Sequence, residues 1–125
     1  RPEEFVLDVD LAPTSLDFAG GEIPDSYQGH GLVPFVEGAY PATWRTEFYG
    51  EHDVKLGQRI PDWIGVRDAD YVFAEYADGK KPVYFLTDEH SDADEIVNLA
   101  DDPAYASVLE AYRKKAHDYQ ALYAR

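Results

Sequence analysis

The sequence predicts an α+β fold in which a small antiparallel sheet of three to four strands is packed by a long amphipathic helix at its C-terminal end. Two observations support this prediction. Runs rich in aromatic and β-branched residues alternate with turn residues between positions 44 and 87. Apolar residues then recur at helical spacing from Tyr105 to Tyr123. The chain has 125 residues, 45% of them hydrophobic, which is enough for one ordinary domain.

The first twenty residues favour a strand or extended lead-in followed by a short helix. Phe5–Val9 alternates apolar and polar residues, as a short strand does. Asp10 is placed to cap the helix, Pro13 lies in its first turn, where a missing N–H does no harm, and Gly20 is placed to end it. The buried side of this helix is expected to consist of Leu11, Ala12, Leu16, Phe18 and Ala19.

Residues 20–43 are expected to form an ordered connecting loop. Glycine and proline recur too often there for a regular element to persist. The loop also carries apolar residues that need a surface to cover, namely Ile23, Leu32, Val33, Phe35 and Val36.

The predicted strands are Trp44–Tyr49, Trp63–Arg67, Asp70–Glu75 and Pro82–Thr87. We expect Gly50–His52 to break the first strand and Asp53–Asp62 to form a loop. Residues 77–80 are predicted to form a hairpin turn between the last two strands.

A helix start is predicted at Asp102-Pro103, with an aspartate at the cap and proline in the first position. The apolar stripe that follows consists of Tyr105, Val108, Leu109, Tyr112, Ala116, Tyr119 and Tyr123. Arg113, Lys114 and Lys115 should lie largely off this stripe, in the second half of the helix, where cations suit the helix dipole. We expect the stripe to pack across the sheet.

Composition argues against several kinds of partner. The net charge is −14, from 25 acidic and 11 basic residues, so the chain should repel nucleic acid and anionic membrane surfaces. The apolar runs are far shorter than the roughly 20 residues that span a bilayer. We therefore expect neither a nucleic acid nor a membrane as partner. The absence of methionine predicts that the chain is a piece of a longer product.

No catalytic centre and no metal site is predicted from the residues alone. The acidic run 88–95 lacks the glycine and closing glutamate of a calcium loop, so a solvated acidic turn is favoured. The four histidines have no close zinc-type spacing, no cysteine is present, and no serine lies in a G-x-S-x-G turn.

One candidate binding group remains, at the predicted exit of the first strand. There Tyr49, Glu51 and His52 place an aromatic ring, a carboxylate and an imidazole close together in the sequence. His52 is either an exposed loop histidine or a binding group. From the residues alone the first interpretation is favoured.

Many short pieces of the chain occur in an order that is typical of one family. They are Val9–Thr14, Ala19-Gly20, Ile23-Pro24, Gln28-Gly29, Phe48–His52, Ile60-Pro61, Gly65–Arg67, Tyr71–Tyr76, Tyr84–Asp88, Asp94-Glu95, Asn98–Ala100 and Asp102–Tyr105. In this order they resemble the C-terminal portion of the formylglycine-dependent sulfatases of the alkaline-phosphatase superfamily.

The resemblance implies that residues 1–43 are the tail end of a large α/β catalytic domain with its connecting loop, and that residues 44–125 are the C-terminal subdomain. It implies calcium and formylglycine for the parent enzyme. This chain has no C/S-x-P-x-R motif, so alone it should lack the nucleophile and the metal ligands. The implied partners are the N-terminal catalytic domain of the same protein and, through it, a sulfated small molecule or glycan. The resemblance also implies that His52 and its neighbours Tyr49 and Glu51 are substrate contacts.

The predicted function is therefore that of the C-terminal part of a sulfatase, which braces the catalytic domain and shapes the substrate cleft. Two alternatives stay open. The parent could be a phosphoester or phosphonate hydrolase of the same superfamily, because this region does not report which anion is cleaved. The chain could also be a stand-alone acidic interaction module.

Overall fold

A computed structural model describes residues 4–53, 60–77, 79 and 81–124. The chain divides into two compact units, Arg1–Thr46 and Glu47–Arg125. Among the described residues, no helix is both long and apolar enough to cross a membrane.

The first unit is built from short helices and irregular backbone. A single 3-10 turn, Asp8–Asp10, leads into helix α1, Leu11–Phe18, and a four-residue helix α2, Val33–Val36, follows later. The Phe5–Val9 segment is thus not a strand. Gly20 follows α1 with a φ of 70°, the left-handed conformation that ends many helices, as predicted.

The prediction for the buried side of α1 is wrong. Leu11 and Phe18 are 61% and 62% exposed, whereas Pro13 is buried. The reason is that α1 has only eight residues and is held at its N-terminal end, where the preceding residue, Asp10, is also fully buried.

The second unit contains the predicted antiparallel sheet, with four strands in the order β1-β2-β3-β4. The strands are β1, Glu47–His52; β2, Trp63–Asp68; β3, Tyr71–Tyr76; and β4, Val83–Asp88. Gly79 has a φ of 75° within the predicted hairpin turn. Two other residues of that turn, 78 and 80, and most of the predicted loop before β2, 54–59, lie outside the described residues.

Strand β1 differs from its prediction, because it begins at Glu47 and continues through Gly50–His52 instead of breaking there. Gly50 pairs with Gly65 of β2. A Cβ atom on Gly50 would lie only 3.2 Å from the indole ring of Trp63. The glycine therefore makes room for a ring on the neighbouring strand and does not interrupt the strand.

The long terminal helix, α3, runs from Ala106 to Tyr123. A 3-10 turn, Pro103–Tyr105, precedes it, and the side chain of Asp102 accepts a hydrogen bond of 2.9 Å from the Ala104 N–H, which confirms the predicted cap. Tyr112 and Ala116 of the predicted stripe are buried against a core from three strands, formed by Ile64, Val66, Phe73 and Leu86.

Because side chains alternate along a strand, the strand register assigns each residue to one of two faces. The helix face, which α3 covers, contains Glu47, Tyr49, Glu51, Ile64, Val66, Asp68, Tyr71, Phe73, Glu75, Tyr84, Leu86 and Asp88. The second face contains Phe48, Gly50, His52, Trp63, Gly65, Arg67, Val72, Ala74, Tyr76, Val83, Phe85 and Thr87.

Candidate functional site

Tyr49 and Glu51 lie together on the helix face. The Tyr49 hydroxyl donates a hydrogen bond of 2.7 Å to Glu51 Oε2. The Tyr49 ring stacks against Tyr119 and Tyr123 of α3, with centroid separations of 5.8 and 5.9 Å. Burial, together with the hydrogen bond and negative charge of Glu51, raises the pKa of Tyr49. This phenol therefore stays protonated and serves as a donor at neutral pH.

His52 lies on the second face, directly across from Trp63 of β2. Its side chain is half-buried, and within the part of the chain that the structure describes its Nε2 atom is buried without a hydrogen-bond partner. The structure therefore brings together two of the three residues that the sequence singles out and places the third on the opposite side of the sheet.

An ion pair that the sequence does not reveal lies at Asp10. Its carboxylate binds both terminal nitrogens of Arg45, with a distance of 2.7 Å from Nη2 to Oδ1. It also accepts hydrogen bonds from the N–H groups of Leu7 and His30, at 2.8 and 2.9 Å. Asp10 stands at the predicted N-cap of α1, but its side chain makes no capping bond there.

The electrostatics of Asp10 are those of a buried anion held by donors. Burial raises the pKa of Asp10, but the hydrogen bonds from Arg45, His30 and Leu7 outweigh burial and leave the pKa below its ordinary value. The carboxylate ties together three segments of the first unit that are distant in sequence. No local pattern could have identified Arg45 as its partner, because 35 positions separate them.

A second polar cluster lies between α3 and the sheet. Lys115 Nζ donates to Glu47 Oε2 at 2.6 Å and to Asp68 Oδ2 at 3.3 Å. The hydroxyls of Tyr112 and Tyr119 donate to Asp68 and Glu47. Lys115, which was expected largely off the apolar stripe, therefore reaches back to the sheet. Its ammonium lies between the carboxylates of Glu47 on β1 and Asp68 on β2. The cluster therefore fixes α3 on these two strands.

The acidic run 88–95 is more ordered than the predicted solvated turn. Arg67 donates to Glu89 at 2.5 Å and to Glu95 at 2.7 Å. Asp88 accepts hydrogen bonds from the N–H groups of the two residues that follow Glu89. Two carboxylates of the run thus share one guanidinium. Within the described ranges, no group of three or more His, Cys, Asp or Glu side chains could hold a metal ion.

Comparisons with known proteins define the class of this fold. The model of the family described as N-sulphoglucosamine sulphohydrolase, C-terminal, matches residues 1–121. The chain is 33% identical to the multifunctional alkaline phosphatase superfamily protein PehA of Trinickia caryophylli, over 98% of this chain and 26% of that protein. It is 30% identical to an arylsulfatase of Clostridium perfringens, over 84% of this chain and 20% of that protein.

Solved structures agree with the sequence matches. One is the structure of a protein in complex with its substrate D-glucosamine-2-N,6-O-disulfate. The match covers 90% of this chain and 23% of that protein, with a TM-score of 0.73 and 27% sequence identity. Another is the phosphonate monoester hydrolase of Silicibacter pomeroyi. The match covers 90% of this chain and 24% of that protein, with a TM-score of 0.70 and 29% sequence identity.

The sheet and its terminal helix are thus an α+β subdomain of the kind found at the C-terminal end of sulfatases in the alkaline-phosphatase superfamily. The chain belongs to the family of N-sulphoglucosamine sulphohydrolase C-terminal regions. It spans about a fifth to a quarter of the length of these relatives.

Proposed function

We propose that this chain is the C-terminal part of an enzyme that hydrolyses sulfate esters, and that it braces the catalytic domain and shapes the substrate cleft. The family match across residues 1–121 is the observation that carries this proposal. The assignment of residues 1–43 to the end of the catalytic domain, and of residues 44–125 to the subdomain, is part of the same proposal.

The bond-breaking chemistry belongs to a part of the parent protein outside this chain. A sulfatase of this superfamily is expected to use formylglycine as nucleophile and calcium to stabilise the developing charge on the sulfate. The residues present here do not fit either group, because the sequence has no C/S-x-P-x-R motif and the described residues form no metal-binding group. The role of this chain is therefore in binding and positioning.

For the substrate we propose a sulfated small molecule or glycan. A structural relative at 27% identity is described in complex with D-glucosamine-2-N,6-O-disulfate. His52 is the group of this chain that we assign to substrate contact, because an imidazole N–H can donate to a sulfate or sugar oxygen. Its Nε2 is buried and has no hydrogen-bond partner among the described residues. Tyr49 and Glu51 would hold the end of β1 in place from the other face of the sheet.

A phosphonate or phosphoester substrate is the second candidate. It is favoured by the likeness to the phosphonate monoester hydrolase of Silicibacter pomeroyi and by the match to PehA. Turnover of an aryl sulfate, an aryl phosphate and an aryl phosphonate monoester by the purified parent protein separates the candidates. We expect the highest kcat/KM for the sulfate. A higher kcat/KM for either phosphorus ester would overturn the sulfatase assignment.

A further inference from the structure

An open groove lies between the C-terminal half of α3 and the start of β1. It has a volume of about 260 Å³ and is lined by Glu47, Lys115, Asp118, Tyr119 and Leu122. Glu47 is the first residue of β1, and the other four belong to α3. His52 is the last residue of β1, roughly 17 Å along the strand at about 3.3 Å per residue, and lies on the second face. The groove is therefore separate from the group that we assign to the substrate.

The polar groups that line the groove are only partly used by the protein. Glu47 accepts one hydrogen bond at each carboxylate oxygen, 2.6 Å from Lys115 Nζ and 2.7 Å from the Tyr119 hydroxyl. A carboxylate has about four acceptor positions, so Glu47 can accept further hydrogen bonds. The side chains of Glu47, Lys115 and Asp118 are 27%, 33% and 64% exposed, so part of each charged group stays open to solvent. A ligand in the groove therefore meets acceptors from two carboxylates and donors from one ammonium.

The apolar side of the groove is formed by side chains that are already held in place. The hydrogen bond to Glu47, together with burial, raises the pKa of Tyr119 to about 12, so its hydroxyl stays protonated and fixes the ring. The Tyr123 ring lies parallel to the Tyr119 ring, at an interplanar angle of 3° and a centroid separation of 6.1 Å. Leu122 is 70% exposed. Fixed rings lose little conformational freedom on binding, so their contact area contributes to affinity at low cost.

This combination of groups selects one chemical class of ligand. The two carboxylates disfavour an anion, and the Lys115 ammonium disfavours a cation. An uncharged sugar fits, because its hydroxyls both donate and accept hydrogen bonds while its C–H groups pack against aromatic and aliphatic side chains. The groove is smaller than the roughly 300–1,000 Å³ of pockets that enclose drug-sized ligands, so it suits one unit of a sugar chain.

We propose that this groove binds an uncharged sugar unit of a glycan, as a second site apart from the ester that the parent protein cleaves. The inference goes beyond the proposed function, because it does not depend on which ester is cleaved. A sulfated unit would meet the carboxylates of Glu47 and Asp118, so the groove discriminates against it. A glycan held there keeps a high local concentration near the parent protein, which raises its overall affinity.

Calorimetric titration of the full-length parent protein with cellotetraose, an uncharged chain of glucose units, tests the groove. We expect a Kd on the order of 1 mM, which is typical of a single small contact. Leu122→Ser and Tyr123→Ser remove apolar area and should each weaken binding roughly fivefold or more. Ile96→Ser and Tyr27→Ser are the matched controls, because these side chains are 77% and 42% exposed and do not line the groove. Thermal unfolding of each variant checks that the fold is kept.

Several outcomes would overturn the proposal. One is the absence of binding at concentrations about tenfold above the expected Kd. Another is equal weakening by the groove variants and their controls, and a third is equal affinity for sulfated cellotetraose. His52→Ala should leave the Kd for cellotetraose unchanged, whereas a loss of binding would assign the sugar to the substrate cleft instead of the groove. Binding of cellotetraose by a parent that turns over no sulfate ester would leave the groove standing while the proposed function fails.

Discussion

Glu51 and His52 are consecutive residues of β1, yet their side chains lie on opposite faces of the sheet. Glu51 pairs with Ile64, a core residue beneath α3, and His52 pairs with Trp63 on the second face. Glu51 also accepts the Tyr49 hydroxyl, and the Tyr49 ring stacks on α3. Tyr49 and Glu51 thus hold the strand against the helix. This arrangement fixes the direction in which His52 projects.

The first prediction concerns the buried carboxylate of Asp10. Asp10→Ala should lower the free energy of unfolding by about 3–5 kcal/mol, because it leaves the guanidinium of Arg45, which is only 12% exposed, without its partner. Urea unfolding measures the loss. Exchange of the His30 amide hydrogen, which Asp10 accepts in the native protein, should become faster. The exposed Asp8 is the matched control, and Asp8→Ala should change stability by about 0.5 kcal/mol or less.

The lowered pKa of Asp10 predicts that the free energy of unfolding depends on pH. The pKa of Asp10 is lowered in the folded protein, so its stabilising contribution is fully present above the unfolded pKa of about 3.9. That contribution is lost as the pH falls through the lower, folded pKa. The difference in unfolding free energy between the native protein and Asp10→Ala should therefore shrink on acidification below pH ~4. A constant difference would contradict the assigned charge state.

The second prediction compares two adjacent lysines of α3. Lys115→Met should destabilise the protein by about 1–2 kcal/mol, because Glu47 and Asp68 lose the cation between them. Lys114 binds only Asp118 among the described residues, and both side chains are well exposed. Lys114→Met should therefore change stability by about 0.5 kcal/mol or less. Thermal unfolding of both variants measures the contrast, and equal losses would mean that the Lys115 cluster does not fix the helix.

The third prediction grades three glycine substitutions by the space around them. A Cβ on Gly65 would lie 2.6 Å from the carbonyl oxygen of Phe73, which belongs to the backbone and cannot turn away. Gly65→Ala should therefore destabilise by about 1–3 kcal/mol. Gly50→Ala should destabilise the protein less than Gly65→Ala, because the Trp63 ring can shift by a few tenths of an ångström. Gly21→Ala, with its nearest atom at 3.4 Å, is the control. Melting temperatures in another order would contradict this account.

Much of the second unit follows from local sequence signals. The period of 3.6 residues locates α3, and the Asp102-Pro103 cap locates its start. Turn residues separate the strands. These features depend on neighbours in the sequence, so they could be predicted without knowledge of the tertiary structure.

The remaining features depend on contacts between distant residues. Gly50 reads as a strand breaker, although here it makes room for Trp63 on the next strand. Because the predicted first strand ends at Tyr49, the sequence does not predict that Glu51 and His52 alternate between the two faces of the sheet. The Asp10 and Arg45 pair has no local signal at all. Leu11 and Phe18 are exposed although they were predicted to be buried, because helical spacing does not indicate which side of a helix packs against a neighbouring surface.

The fourth prediction concerns His52 in the parent enzyme. If its imidazole donates a hydrogen bond to the anionic substrate, His52→Ala should raise KM by about tenfold or more, with a smaller change in kcat and little change in melting temperature. Tyr49→Phe removes the hydroxyl that binds Glu51 on the other face, so it should affect stability more than KM. His90→Ala is the control, because that side chain is 72% exposed in the turn after β4.

These variants separate a binding role of His52 from a structural one. A binding role moves KM for the sulfate ester while the unfolding transition stays in place. A structural role shifts the melting temperature and leaves KM near its native value. His52→Asn adds a further distinction, since a side-chain amide can still donate a hydrogen bond to an anion but carries no charge. Recovery of KM by His52→Asn would identify hydrogen bonding, rather than positive charge, as the contribution of His52.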